Sequence, residues 1–251
     1  MNPVQLIEQV ALGRDPYRVL AELLVENTSE GGFSLNCAQL SPERADAYAR
    51  AEFEKAGQDI DDVLPDFDLN YRRLQKACGK ALGIPRVQMP VIEPPDIPRF
   101  EKALRAGKID LLAPWARGKF FAPTNLTQGS GEEWLNLGYA DGSKTDDVIK
   151  AKLGRTPCTR LIPTQSQIWL EKLIGNIVRW GVPRQGSPIT DSATLIISTE
   201  GYILDGHHRY GQAMLADPGL RMKTLSVPLR IDDLVAVGRS FGNAIGNQQK
   251  A

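Results

Sequence analysis

The chain carries only two histidines and three cysteines in 251 residues. Cys37, Cys78 and Cys158 are odd in number, far apart and without Cys-x-x-Cys spacing, which argues against a disulfide framework or a cysteine zinc site and for a reducing compartment. Two histidines are too few for a three-histidine zinc centre. Nothing in the residue pattern calls for haem or flavin. No apolar run approaches the ~20 residues of a membrane helix, and the start, MNPVQLIEQV, lacks the basic-then-apolar order of an export signal. The expectation is a soluble, cytoplasmic protein with no membrane partner. Net charge is absent too, but the zero hides an asymmetry. From Arg155 to Ala251 there are 11 Lys and Arg against 7 Asp and Glu, so the back of the chain is basic and the front acidic by the same margin. A phosphate-bearing partner would meet the back. At 42% hydrophobic and 24% charged residues, the composition is that of a globular protein.

Helical spacing dominates the front half. Leu6, Ile7, Val10 and Ala11, then Val19, Leu20, Leu23 and Leu24, predict two short helices broken by Gly13 and Pro16. Ser41 before Pro42 predicts a capped helix whose face is Ala45, Tyr48, Ala49 and Phe53. Asp59 to Asp68 lacks the alternating ligands and central glycine of a calcium loop and reads as a solvated acidic loop. Tyr71, Leu74, Ala77, Cys78, Ala81 and Leu82 predict a helix stopping at Gly83. Five prolines between Pro85 and Pro98 predict an extended linker over about Ile84 to Pro98. A helix over Phe100 to Ala106 ends at Gly107, and an irregular stretch with Trp115, Phe120 and Phe121 follows. Those aromatics read as loop anchors, with stacking on nucleic-acid bases the alternative. Thr145 caps a helix expected to run through Leu153.

The last part is the best patterned. Thr164 and Gln167 match a capping box for a helix to Trp180, with Ile168, Leu173, Ile177 and Trp180 apolar and Gly181 ending it. Thr194 to Ser198 and Tyr202 to Leu204, joined by a Glu200-Gly201 turn, predict a β-hairpin. A strand over Leu225 to Ile231 and a helix opened by Asp232 and Asp233 complete the chain. The expected organisation is a helical region over 1–84, a proline-rich linker and irregular connection over 85–154, and a further domain over 155–251.

Both histidines lie in one stretch, GYILDGHHRYGQAML, from Gly201 to Leu215. It reads as a strand, an Asp205-Gly206 turn, and a helix whose first turn carries His207, His208 and Arg209. Free N–H groups at that helix start favour an anion, and Gly206 allows close backbone approach. Arg209 offers a planar fork to phosphate oxygens, a histidine acts as acid or anion ligand, and Asp205 orients a histidine or holds Mg²⁺. Adjacent helical residues point about 100° apart, so one of the two histidines is expected to be structural. The alternative is a plain corner: Asp205 capping, a satisfied histidine, Arg209 in an ion pair.

Together, LIPTQSQIW, PIT with a hairpin, GYILDGHHRY and SVPLRI resemble the ParB/sulfiredoxin superfamily, especially ParB-like members with a Pro-Thr-Gln segment and an Asp-Gly-His-His-Arg motif. The resemblance covers about Arg155 to Ile231. It implies an α+β fold, a helical N-terminal region followed by a small mixed sheet flanked by helices, and a phosphate-handling site. Thr164, Gln165 and Glu200 join Gly206 as candidates for phosphate or nucleotide contact. Implied partners are a nucleotide, ATP, ADP or CTP with Mg²⁺, for phosphotransfer or nucleotide hydrolysis. Alternatives are a DNA nuclease or DNA-binding protein of phage or plasmid type, in the host cytoplasm if phage-encoded, and a non-enzymatic assembly protein whose N-terminal helical region docks a protein partner. The sequence departs from the family in three ways: the motif lacks the cysteine of sulfiredoxins, no helix-turn-helix domain has room downstream, and Gln165 stands where the family's serine kinases carry glutamate. Glutamine accepts no proton as a base, which leaves Asp205, His207, His208 or Glu200.

Overall fold

In the computed structural model, residues 35–86, 89–107, 148–165, 167–192, 194–245 and 247 are described. The two helices expected before residue 26, the aromatics Trp115, Phe120 and Phe121, and the Thr145 cap lie outside them. The described residues form a mixed α+β fold of eight α-helices and one five-stranded mixed sheet. The helices are α1 (Pro42–Lys55), α2 (Ile60–Val63), α3 (Phe67–Cys78), α4 (Ile97–Arg105), α5 (Leu170–Trp180), α6 (Pro188–Asp191), α7 (His207–Ala216) and α8 (Ile231–Ala244). The strands are β1 (Lys152–Pro157), β2 (Ile162–Pro163), β3 (Leu195–Ile197), β4 (Tyr202–Asp205) and β5 (Arg221–Ser226), in the order β1-β5-β3-β4-β2. β3 and β4 form the expected antiparallel hairpin, β1 is antiparallel to β5, and the β2–β4 and β3–β5 pairs are parallel. Among the described residues no helix is long and apolar enough to cross a membrane.

Side-chain alternation assigns the two faces of the sheet to two cores. Leu195, Ile197 and Ile203 enter one with Phe53, Tyr71, Leu173 and Tyr210, while Ile196, Leu204 and Leu225 enter the other with Phe100, Leu234 and Phe241. Helices α1, α3, α5 and α7 therefore cover one face, and α4 and α8 the other. The front helices are tied in by polar contacts as well. Asn70 Nδ2 donates to the Leu215 carbonyl at 3.1 Å, and Tyr71 Oη to the Leu40 carbonyl at 3.0 Å.

Several elements differ from expectation for local reasons. Asp59 to Asp68 is not a plain solvated loop: Asp59 caps α2, Ile60, Leu64 and Phe67 are buried, and Asp61 holds Arg50 through two 2.9 Å bonds. α3 stops at Cys78, short of Gly83, and the chain turns so that Ile84 N–H reaches the Thr164 carbonyl at 3.3 Å. Ile84, Met89, Ile92 and Ile97, in the stretch expected to be a linker, are all buried in the second core. Leu153 lies in strand β1 rather than in a helix, and β5 begins at Arg221 rather than Leu225. Trp180 projects from α5 at 69% exposure, with the Arg179 guanidinium 4.6 Å from its ring centre.

The capping box does not form. α5 begins at Leu170, because the preceding residues pair in extended form with the chain at Leu35 to Cys37: Cys37 N–H donates to the Ile168 carbonyl and Leu170 N–H to the Leu35 carbonyl, each at 2.8 Å. Gln167 Oε1 instead accepts from Arg86 N–H at 3.3 Å.

Candidate functional site

The parallel pair β2 and β4 builds the site. Ile162 lies opposite Tyr202 and Pro163 opposite Ile203, so the two strands end side by side and deliver Thr164-Gln165 next to Asp205 through His208. Segments some 40 residues apart in sequence are then joined by imidazole. His207 Nε2 accepts the backbone N–H of Thr164 at 3.0 Å and of Gln165 at 3.3 Å, and His208 Nε2 accepts that of Trp169 at 3.3 Å. An accepting Nε2 must be unprotonated, which makes each neutral ring the Nδ1–H tautomer. Burial pushes the His207 pKa down to about 3, helped by the charges of His208, Arg86 and Arg209. Burial, then Lys172 and Arg86, lowers His208 to about 4. At neutral pH both rings are uncharged, and the positive charge of the corner comes from arginine.

Gly206 starts α7 at φ 98°, a left-handed conformation that glycine adopts without strain. A Cβ there would collide with Leu195 Cδ2 and lie 2.8 Å from Arg209 Nη2. No side chain caps the helix, and its first internal bond is Tyr210 N–H to the Gly206 carbonyl at 2.9 Å. The N–H groups of His207, His208 and Arg209 are thus outside the helical ladder, at the positive end of its dipole. Arg209 Nη2 pairs with Asp205 Oδ2 at 2.6 Å and reaches the Thr194 carbonyl at 3.4 Å, while its buried Nε has no partner among the described residues. Burial raises the Asp205 carboxyl above its ordinary value, and Arg209 pulls it back.

This corner opens into a cleft of about 330 Å³. Its lining is polar at Arg86, Glu93, Gln165 and the first turn of α7, and apolar at Met89, Pro90, Val91, Ile92 and Leu204. The cleft lies beyond the carboxyl ends of parallel strands, where open α/β sheets commonly bind ligands. It gathers Gln165, Asp205, Gly206, His207, His208 and Arg209. Thr164 sits beneath it, fully buried, its hydroxyl unpartnered among the described residues. Glu200 does not join them: it flanks the hairpin turn at the other end of β4, where it accepts from Ser198 Oγ at 2.7 Å and faces Arg230 at 3.8 Å.

Sequence reasoning missed Arg86 and Glu93. Both lie in the proline-rich segment, where the visible signal was a charged residue beside prolines and nothing indicated a strand end opposite. Among the described residues no group of three or more His, Cys, Asp or Glu side chains gathers to form a metal cage. Asp205 and Glu93 are the two carboxylates among the residues that line the cleft. No family model matches the sequence, and comparison with curated proteins and with solved structures returns no match.

Proposed function

We propose that this protein binds a nucleoside di- or triphosphate in the α7 cleft and transfers or hydrolyses its terminal phosphoryl group, on a ParB/sulfiredoxin-like arrangement of the sheet. The observation that carries the reading is the make-up of the cleft. The uncapped start of α7, Arg86 and Arg209 line it together with apolar side chains. Phosphate oxygens suit the free N–H groups and the guanidinium forks, and a base and ribose suit Met89, Val91 and Leu204. In phosphoryl transfer, positioning and charge neutralisation supply most of the catalysis, which such a corner can offer without a charged histidine.

Gln165 stands where the resemblance expects a glutamate, and Glu93 puts a carboxylate on the same cleft. In this reading an acceptor hydroxyl or water attacks the terminal phosphorus. Its proton passes to Glu93, and the bond to the bridging oxygen breaks to release the shortened nucleotide. Asp205 is held by Arg209 and positions it. Mg²⁺ bound with the nucleotide, held by Asp205, would neutralise phosphate charge. The imidazoles of His207 and His208 hold the Pro-Thr-Gln segment in place by accepting its N–H groups.

Calorimetric titration with ATP, ADP and CTP in the presence of Mg²⁺ tests the proposal. At least one is expected to bind, and Arg86→Ala is expected to weaken it by about tenfold, or about 1.4 kcal/mol. Glu93→Gln should leave binding intact and slow turnover by about 10²-fold or more. No binding by any of the three overturns the assignment.

A further inference from the structure

Several arginines on this surface are ion-paired. Arg50 pairs with Asp46 and Asp61, Arg72 with Asp68, Arg105 with Glu101, and Arg155 with Asp191. A group of six other cations is not. Arg73, Lys76, Lys80, Arg160, Lys152 and Lys150 have no ion pair among the described residues, and all are exposed. They are also contiguous. Arg73, Lys76 and Lys80 line a groove of about 480 Å³ between α3 and the turn Cys158–Arg160, and Lys150 and Lys152 line a second, of about 430 Å³, where β1 begins and β3 and β5 end. Arg160 lines both. The two grooves form one path that turns at this residue.

The path has the chemistry of a polyanion site. Arg73 and Lys76 are three apart on α3 and so share a face. Lys80 follows in the turn beyond the helix, where its N–H bonds the Ala77 carbonyl at 3.0 Å. Lys152 opens β1, and Lys150, in the turn closed by the Ala151 N–H to Ile149 carbonyl bond at 3.1 Å, lines the same groove. No acidic residue lines the first groove. Only Glu200 lines the second, and its carboxylate is already engaged by Ser198 Oγ and Arg230. Thr159 and Thr199 add hydroxyl donors along the way. A single small anion would occupy one groove and leave the other cations unused. An acidic protein would be expected to find an exposed aromatic anchor at the centre of its interface; the one aromatic side chain here, Tyr210, is fully buried.

We infer that this path binds the sugar-phosphate backbone of a nucleic acid, by charge and hydroxyl contacts and without base reading. The inference is independent of the nucleotide proposal, because neither groove shares a lining residue with the α7 cleft. Backbone binding of this kind releases counterions, so affinity falls with salt in proportion to the number of phosphates neutralised.

Fluorescence anisotropy with end-labelled duplex DNA, single-stranded DNA and single-stranded RNA of equal length tests it on the full chain. If all six cations engage duplex DNA, raising salt from about 50 to about 200 mM lowers affinity by roughly 10³-fold. The double variant Lys76→Gln/Arg160→Gln should weaken binding at least about tenfold and reduce the salt slope by about 2. Lys102→Gln, an exposed lysine on α4, should change neither. The arm that binds most tightly identifies the nucleic acid. Absence of salt-dependent binding in all three arms overturns the inference. So does an unchanged slope in the double variant, or displacement by polyglutamate as effective as by unlabelled nucleic acid. ATP titration of the same double variant reads the nucleotide site separately and is expected to match the unmodified chain.

Discussion

His207 shows how one side chain decides both architecture and charge. Its Nε2 takes two backbone N–H groups, from Thr164 and Gln165, that would otherwise be buried without partners. Leaving a buried donor unsatisfied costs about 1–3 kcal/mol. Burial above all, with neighbouring positive charge second, lowers its pKa to about 3 and that of His208 to about 4, and protonation of the ring would forfeit both bonds. The sign follows from proton counting. Below about pH 6.5 the unfolded chain protonates both rings while the folded chain protonates neither, so the unfolded state is favoured as pH falls. The contribution to stability is complete above about 6.5 and is lost on going down toward 4, at up to about 1.4 kcal/mol per pH unit for each ring. Asp205, raised by burial, acts in the opposite sense across its own titration. Ring ¹⁵N NMR shifts separate these effects. Both histidines should show the neutral Nδ1–H form from about pH 8 to about pH 5. Titration of either near 6.5 would refute the assignment.

At the scale of elements, the β4–α7 corner was legible and its partner segment was not. The strand, the Asp-Gly turn and the helix start all follow from local residues, and the structure shows them. Gly206 at φ 98° leads to a direct prediction: Gly206→Ala adds left-handed strain of about 1–2 kcal/mol and a clash with Leu195 and Arg209. Urea denaturation should register a loss of about 2 kcal/mol or more; a change within about 0.5 kcal/mol would contradict the tightness of the corner. The capping box at Thr164 fails for a non-local reason. The N–H groups that a helix start would leave free are accepted by His207, by His208 and by the Leu35 carbonyl, from chain far away in sequence. The same cause hid Arg86 and Glu93. Proline removes local hydrogen-bond donors and signals extended chain, but it does not reveal that Ile84 will bond to Thr164 and turn the segment into the wall of a cleft.

For the whole molecule, the sequence shows a change of pattern near the prolines, and the structure packs the two sides of that change together. Cys37 and Cys78 come from before the prolines and Cys158 from after them, yet all three belong to one core with Tyr71, Leu173 and Tyr210. Burial pushes the thiols of Cys78 and Cys158 up to about 12 and that of Cys37 well above its ordinary value, so none is a thiolate at neutral pH. In the folded protein all three should resist an aromatic disulfide reagent. Their release is the sharper observation. If the core is shared, losing α3 strips Tyr71 and Leu74 from the sheet side as well as the Asn70 bond to the Leu215 carbonyl at 3.1 Å, so the back half cannot remain packed alone. Labelling followed by mass spectrometry across a urea series should then show the three cysteines reacting over the same transition, coincident with loss of helical circular dichroism. Reaction of Cys37 and Cys78 at distinctly lower urea than Cys158 would mean that the front helices separate from the sheet as a unit of their own.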